Sequence, residues 1–319
     1  MKQILPVTLL CTLTCICSAQ TPVILPLGDS AELFGKDVIS TGDFSFNTSF
    51  TPGGNTVFFS RATINFGYIA IFCSTRKNGQ WQEATPVNFT GIYRDTDPFV
   101  SADGKRLYFS SDRPVNGQPF KDYDYHLFYV TLDGNNITGQ PQLFMPVTDT
   151  AIKPAYPSFA ANGNFYFFSR DSAYDTDIYM SEYHNGKYLT PVKLPFNDKK
   201  YIDFDPMVAK DESFIVFVSN NRKGEGSSDL FISFKENGTW SSPVNMGTKV
   251  NTKGNDGAPG LSQDNNTLYF TSYREESPRP AYKKDAITND ALMKLFHATS
   301  NGMRHIYKID ISRLAKKAG

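Results

Sequence analysis

Residues 95–113 read DTDPFVSADGKRLYFSSDR, and looser versions of this block begin near Ser45, Pro154, Asp203 and Asp256. Aligned on their turn, they put Gly54, Gly104, Gly163, Glu212 and Asn265 at one position, in steps of 50, 59, 49 and 53 residues. Strand-type sequence recurring at roughly 40–50 residues is the signature of a propeller, in which each repeat is one small antiparallel sheet. The spacing therefore predicts an all-β, five-bladed β-propeller and leaves no residues for a sixth blade.

Each repeat has the same internal order. An inner segment ends in Pro and small or apolar residues, as in Asp97-Pro98-Phe99-Val100 and Asp205-Pro206-Met207-Val208. A two-residue turn such as Asp103-Gly104 follows, where Gly and Asn adopt positive φ at little cost. An alternating aromatic strand comes next (Leu107-Tyr108-Phe109-Ser110, Phe165-Tyr166-Phe167-Phe168), then a polar loop with Arg and a third strand. Asn-Gly or Asp-Gly pairs (Asn78-Gly79, Asp133-Gly134, Asn185-Gly186, Asn237-Gly238) start the outer strand, which carries Pro86, Pro141, Pro191 or Pro243. Proline suits an edge because it cannot donate to a ladder. The fifth repeat has no fourth strand of its own. Thr21-Pro22-Val23-Ile24-Leu25 resembles Ser242-Pro243-Val244-Asn245-Met246, so an N-terminal strand is expected to close the last blade and remove the open edges.

Composition agrees with many short strands: 26 phenylalanines and 17 tyrosines, with 23 glycines and 19 prolines for turns. With 32 basic and 32 acidic residues the net charge is zero, which excludes a nucleic-acid or anionic-membrane partner held by bulk electrostatics. Lys2, the apolar run Ile4 to Cys17 and the small residues Cys17-Ser18-Ala19 read as a signal peptide, residues 1–19, cut before Gln20. The run is too short for a transmembrane segment, and neither Cys15 nor Cys17 follows the pattern of a lipoprotein signal. Residues 20–319 are then a single propeller domain, periplasmic or secreted, in which Cys73 alone remains and no internal disulfide forms. A monomer is expected. One stretch breaks the pattern: an insertion, 275–303, in the fifth blade. Within it Thr288-Asn289-Asp290 caps a short helix from Ala291 to His297 with Leu292, Leu295 and Phe296 on one side.

The block from Asp97 to Ser111 resembles the TolB-type, WD40-like propeller repeat of bacterial envelope proteins, with its Pro, its Asp-Gly-Lys turn, its aromatic strand and a following Ser-x-Arg. The likeness extends from Thr21 to Arg313 and is loosest in the first repeat, where Thr51-Pro52-Gly53-Gly54-Asn55 keeps only the turn. It implies an exported binding scaffold for a protein or peptide partner in the cell envelope, and no particular reaction.

Asp95, Asp203 and Asp256 share one place at the start of three inner segments, and Asp97 and Asp205 share a second. Equivalent points of different blades converge on the propeller axis. These carboxylates, with Tyr156, are therefore candidates to line one mouth of the channel and to hold a calcium ion or a glycan. The competing reading is structural, since an Asp before a strand commonly accepts backbone amide bonds. A glycosidase built on two of them would need carboxylates in unlike surroundings, and near-identical repeat contexts argue against that. Nothing else suggests an enzyme or another cofactor. His126, His184, His297 and His305 lack metal-ligand spacing, no Gly-x-Ser-x-Gly elbow occurs, and Cys73 lies in an apolar strand. Arg61, Arg113, Arg170, Arg222 and Arg274 recur after the second strands. They are expected to pair with an Asp of the adjoining turn or third strand, such as Asp177 or Asp229. Trp81 and Trp240 are expected to cover the sheet flank, with sugar stacking as the alternative.

Overall fold

The computed structural model describes residues 25–115, 117–118, 121, 124–146, 152–170, 176–274, 288–299 and 301–315. Five antiparallel sheets follow one another along the chain. The first blade is built from Phe44–Phe50, Thr56–Ala62 and Ile69–Lys77, with outer pieces Gln80–Trp81 and Thr85–Pro86. The second uses Asp95–Val100, Arg106–Ser111, His126–Asp133 and Asn136–Leu143. The third uses Ala155–Phe159, Phe165–Arg170, Thr176–Ser181 and Val192–Lys193, and the fourth Ile202–Val208, Phe214–Asn220, Asp229–Glu236 and its outer pieces Thr239–Trp240 and Val244–Asn245. The fifth blade takes Asp256–Leu261, Thr267–Ser272 and His305–Asp310 from the C-terminal end and Glu32–Leu33 from the N-terminal end.

That last pairing closes the ring, Glu32 opposite Lys308 and Leu33 opposite Tyr307. The expected closing strand, Thr21 to Leu25, lies outside the described residues except for Leu25; the strand that closes the blade is seven or more residues further on. Among the described residues, Glu32 and Leu33 alone pair there. The signal peptide expected at 1–19 and the cut before Gln20 also lie outside the described residues.

The second strands form the core because both faces of each blade are covered by neighbouring blades. Phe58, Phe59, Phe109, Phe165, Phe167, Phe214, Phe217 and Phe270 are all fully buried. Alternate residues face opposite neighbours, so one aromatic strand supplies two inter-blade layers. The turn alignment holds in three dimensions: Gly54, Gly104, Gly163, Glu212 and Asn265 all have positive φ, from 58° to 93°. Trp240 is buried against Tyr166, with ring centroids 6.0 Å apart, and Trp81 packs on Phe34 at 5.7 Å, so both serve packing. Of the insertion, residues 288–299 and 301–303 are described. They include helix α1 (Asn289–Phe296), whose first turn is capped by Thr288 accepting from the Ala291 amide at 3.3 Å. Asn301 Nδ2 ties its end to the first blade by donating to the carbonyl of Gly42 at 2.8 Å.

Candidate functional site on the propeller axis

Every inner strand carries a β-bulge, and the residue at it is left-handed in all five blades: Asn47 (φ 53°), Asp97 (54°), Tyr156 (55°), Asp205 (51°) and Ala258 (46°). None is a glycine. Asn and Asp accept this conformation readily, whereas Tyr and Ala do so at a cost of about 1 kcal/mol. The bulge re-aims the side chain toward the axis, so five equivalent residues converge there, one from each blade. Neighbouring blades hold the bulges in place: Ser60 Oγ accepts from the Asp97 amide at 3.2 Å, and Ser110 Oγ from the Tyr156 amide at 3.3 Å.

Asp97, Asp205 and Tyr156 are brought together, and Asn47 joins them. Asn47 Nδ2 donates to Asp97 Oδ1 at 3.3 Å, and the Thr96 hydroxyl donates to the same oxygen at 3.0 Å. Asp205 has no hydrogen-bond partner among the described residues. Burial pushes both carboxyls above the ordinary carboxylate range. For Asp97 the hydrogen bonds of Ser110, Thr96 and Asn47 oppose the rise, while for Asp205 the charge of Asp97 adds to it. Among the described residues no cationic side chain acts on either. Both nevertheless keep some surface, the combination expected of groups lining a narrow channel. Tyr156 crosses that channel. Its phenol donates to the Pro259 carbonyl of the fifth blade at 2.7 Å, two blades away, and burial followed by the charges of Asp205 and Asp97 holds the phenol protonated. Past it, toward the turns, lies a cavity of about 30 Å³ for water centres, lined by Ser49, Phe99, Phe159, Met207 and Gln263. That is room for a water or two. Lys210 donates to Gln263, which in turn donates to the Phe50 carbonyl, and these contacts tie three blades together at that mouth.

Asp95, Asp203 and Asp256 occupy a different environment. Each is at most 1% exposed. Arg113 Nη2 donates to Asp95 at 2.6 Å, and Arg222 Nη2 to Asp203 at 2.7 Å. Asp256 accepts the amide and hydroxyl of Thr252 at 2.6 and 2.9 Å, with the Arg274 charge nearby. These three aspartates face the strand-end clamp, away from the axial group. The arginine expectation is corrected at the same point: Arg113 and Arg222 take the first-strand aspartates, and Arg274 donates to the carbonyls of Lys249 and Val250 at 3.1 and 2.7 Å. Third-strand Asp177 is taken by Lys193, and Asp229 accepts the amide of Gly226 at 3.1 Å. Each arginine also lies on aromatic rings, Arg222 over Tyr201 at 4.1 Å and Arg113 over Tyr93 at 5.4 Å. The Ser-x-Arg of the repeat is thus a cap on the blade core. Arg61 differs, donating to the Ile39 carbonyl at 3.3 Å beside Asp43.

Sequence reasoning missed Asn47. In four blades the bulge residue precedes a proline (Pro98, Pro157, Pro206, Pro259), but Thr48 stands there in the first blade, and that break hid the alignment. Among the described residues no three His, Cys, Asp or Glu side chains converge as metal ligands, and no helix is long and apolar enough to cross a membrane.

The fold these elements make is a five-bladed β-propeller. No protein-family model matches the chain, and comparison with curated sequences finds no match. Among solved structures the chain is similar to a protein of unknown function from Dyadobacter fermentans, with 14% identity over 89% of this chain and 98% of that one, at a TM-score of 0.48. An α-L-arabinofuranosidase from Lactobacillus brevis gives 14% identity over 86% and 93% at 0.48. The periplasmic gluconolactonase of Pseudomonas aeruginosa gives 14% over 70% and 64% at 0.41. At this distance none of the three bears on what the chain does.

Proposed function

We propose that the protein is an exported, TolB-type binding scaffold that holds a protein or peptide of the cell envelope on one face of the disc. The observation that carries this reading is α1. None of its residues is buried, and Leu292, Met293, Leu295 and Phe296 are all exposed, Phe296 at 60%. An amphipathic helix fixed to a rigid rim with its apolar side in water fits a partner's apolar segment. The loops between second and third strands open on the same face. There the first blade adds exposed Ile64 and Tyr68, and the connection into the second blade adds Ile92, 84% exposed. A groove of about 230 Å³ lies between them, walled by Tyr68, Ile92, Tyr93 and Arg94.

The test is affinity capture from the envelope fraction with the wild-type chain and with Leu292→Ser/Leu295→Ser/Phe296→Ser. The expected outcome is a stoichiometric partner that the triple variant loses, while its melting temperature stays within about 1 °C, since no buried contact is removed. Equal capture by both proteins would reject the face.

A second reading, a carbohydrate-binding or glycosidase-like protein, has one observation in its favour. Asp97 is hydrogen-bonded and Asp205 is not, so the two axial carboxylates do sit in unlike surroundings. Against it, the Tyr156 ring spans the axis beside them. Asp97→Asn abolishing glycan binding or turnover would favour this reading over the scaffold.

A further inference from the structure

The axial group holds two carboxylates with no counter-charge among the described residues. Elsewhere in this chain a buried carboxylate comes with a cation or a set of donors: Arg113 for Asp95, Arg222 for Asp203, Lys235 for Glu212, and Thr252 for Asp256. At the axis, among the described residues, Asp97 is held by neutral donors alone, the Asn47 amide, the Thr96 hydroxyl and Ser110, and Asp205 by none. Two like charges enclosed in protein without compensation are costly, and their own repulsion adds to the desolvation.

A second, independent observation lies beside them. Asn47 is 2% exposed, and its Oδ1 is buried with no hydrogen-bond partner. The other end of the same amide donates to Asp97, which fixes its orientation and leaves the carbonyl oxygen beside that carboxylate. The Asn47 oxygen and the Asp205 carboxylate are hard acceptors with no donor among the described residues, and Asp97 lies between them with only part of its capacity used. A water could donate to one of them, but it brings no charge.

We propose that Asp97, Asp205 and the Asn47 carbonyl oxygen form a site for a hard divalent cation of the calcium class on the propeller axis. Two carboxylates balance its charge, and the amide oxygen supplies a neutral donor of the type calcium accepts. Since no third acidic side chain among the described residues converges there, the ion keeps part of its water shell in the channel. Three different blades supply the donors, so the ion ties the first, second and fourth blades at the centre, where the inner strands share no ladder. Tyr156, anchored on Pro259, closes the channel past the ion. This site is independent of the partner-binding face.

The experiment uses the full chain stripped with EDTA and dialysed, titrated with CaCl2 and separately with MgCl2 by calorimetry and followed in thermal melts. The expected result is one Ca2+ per chain and a melting temperature raised by about 5 °C at a hundredfold excess over Kd. Asp205→Asn should weaken binding at least tenfold. Asn47→Gly, which tolerates the positive φ and removes only the amide, should weaken it as well. Asp103→Asn, at an exposed turn, should leave it unchanged. No binding by the wild-type chain overturns the proposal. So does binding that survives both Asp205→Asn and Asn47→Gly, because the ion is then held elsewhere.

Discussion

Asp203 and Asp205 stand two residues apart on one inner strand, and the structure treats them in opposite ways. Asp203 is sealed under Arg222, which reaches both its oxygens and also donates to the Phe196 carbonyl at 2.9 Å. Asp205, turned by the bulge, has neither a hydrogen bond nor a cation among the described residues. The same contrast recurs in the second blade between Asp95 and Asp97. Alternation along a strand would send both residues of each pair to one face; the bulge breaks that parity and separates a structural aspartate from an axial one. The difference teaches that repetition of a residue type marks scaffold where its counter-charge repeats too. A site is left where the counter-charge is missing.

The sharpest way to break this comparison is to remove a structural aspartate. Asp203→Asn leaves Arg222 enclosed against Phe217 and Phe231 without its counter-charge and with one of its four acceptors replaced by a donor. It should cost about 3 kcal/mol in urea unfolding. A loss below about 1 kcal/mol would mean that the clamp is dispensable and that Asp203 and Asp205 are not different in kind.

Glu212 extends the comparison to a carboxylate at the opposite mouth. It accepts from Tyr166 at 2.6 Å, Asn164 at 2.8 Å, Asn162 at 3.2 Å and Lys235 at 2.8 Å, joining the third blade to the fourth. Burial pushes its carboxyl up, but Lys235, Tyr166 and Asn164 outweigh burial and hold it below the ordinary range. Its contribution is therefore present above the unfolded pKa and is lost as pH falls through the lowered one. Glu212→Gln should cost about 1–2 kcal/mol at pH 7, and the gap to wild type should close below about pH 4. A gap that does not change with pH would show that the charge on Glu212 contributes nothing.

Much of this architecture was legible in one dimension because it rests on local rules. The turn residues Gly54, Gly104, Gly163, Glu212 and Asn265 had to align, since each needs positive φ and each precedes the same aromatic strand. Blade count followed from the spacing, and closure by the N-terminal segment from the missing fourth strand of the fifth repeat. What could not be read was register that depends on non-local pairing. The two-residue closing strand Glu32–Leu33 has no sequence signal of its own. The bulge at Asn47, Asp97, Tyr156, Asp205 and Ala258 is filled by four residue types and no glycine, and the proline that follows it in four blades is missing after Asn47. The arginine partners were misassigned for the same reason: pairing across a sheet end joins Arg113 to Asp95, 18 residues apart, where proximity along the chain pointed to the third strand.

The smallest expected effect tests the comparison most directly. Asp205→Asn conserves shape, removes one of two facing carboxylates and breaks no hydrogen bond found among the described residues. In chelator it should cost nothing, and the loss of repulsion with Asp97 should stabilise the chain by up to about 1 kcal/mol. The partner experiment, Asp203→Asn, makes the same chemical change two residues earlier and should be strongly destabilising. Measured side by side in urea, the two variants differ only in whether the protein supplies a counter-charge. Equal losses would place Asp205 in the scaffold beside Asp203 and remove the axial group as a site. A loss confined to Asp203→Asn would leave Asp205 as a residue kept at a cost to stability, which is what a binding group on the axis requires.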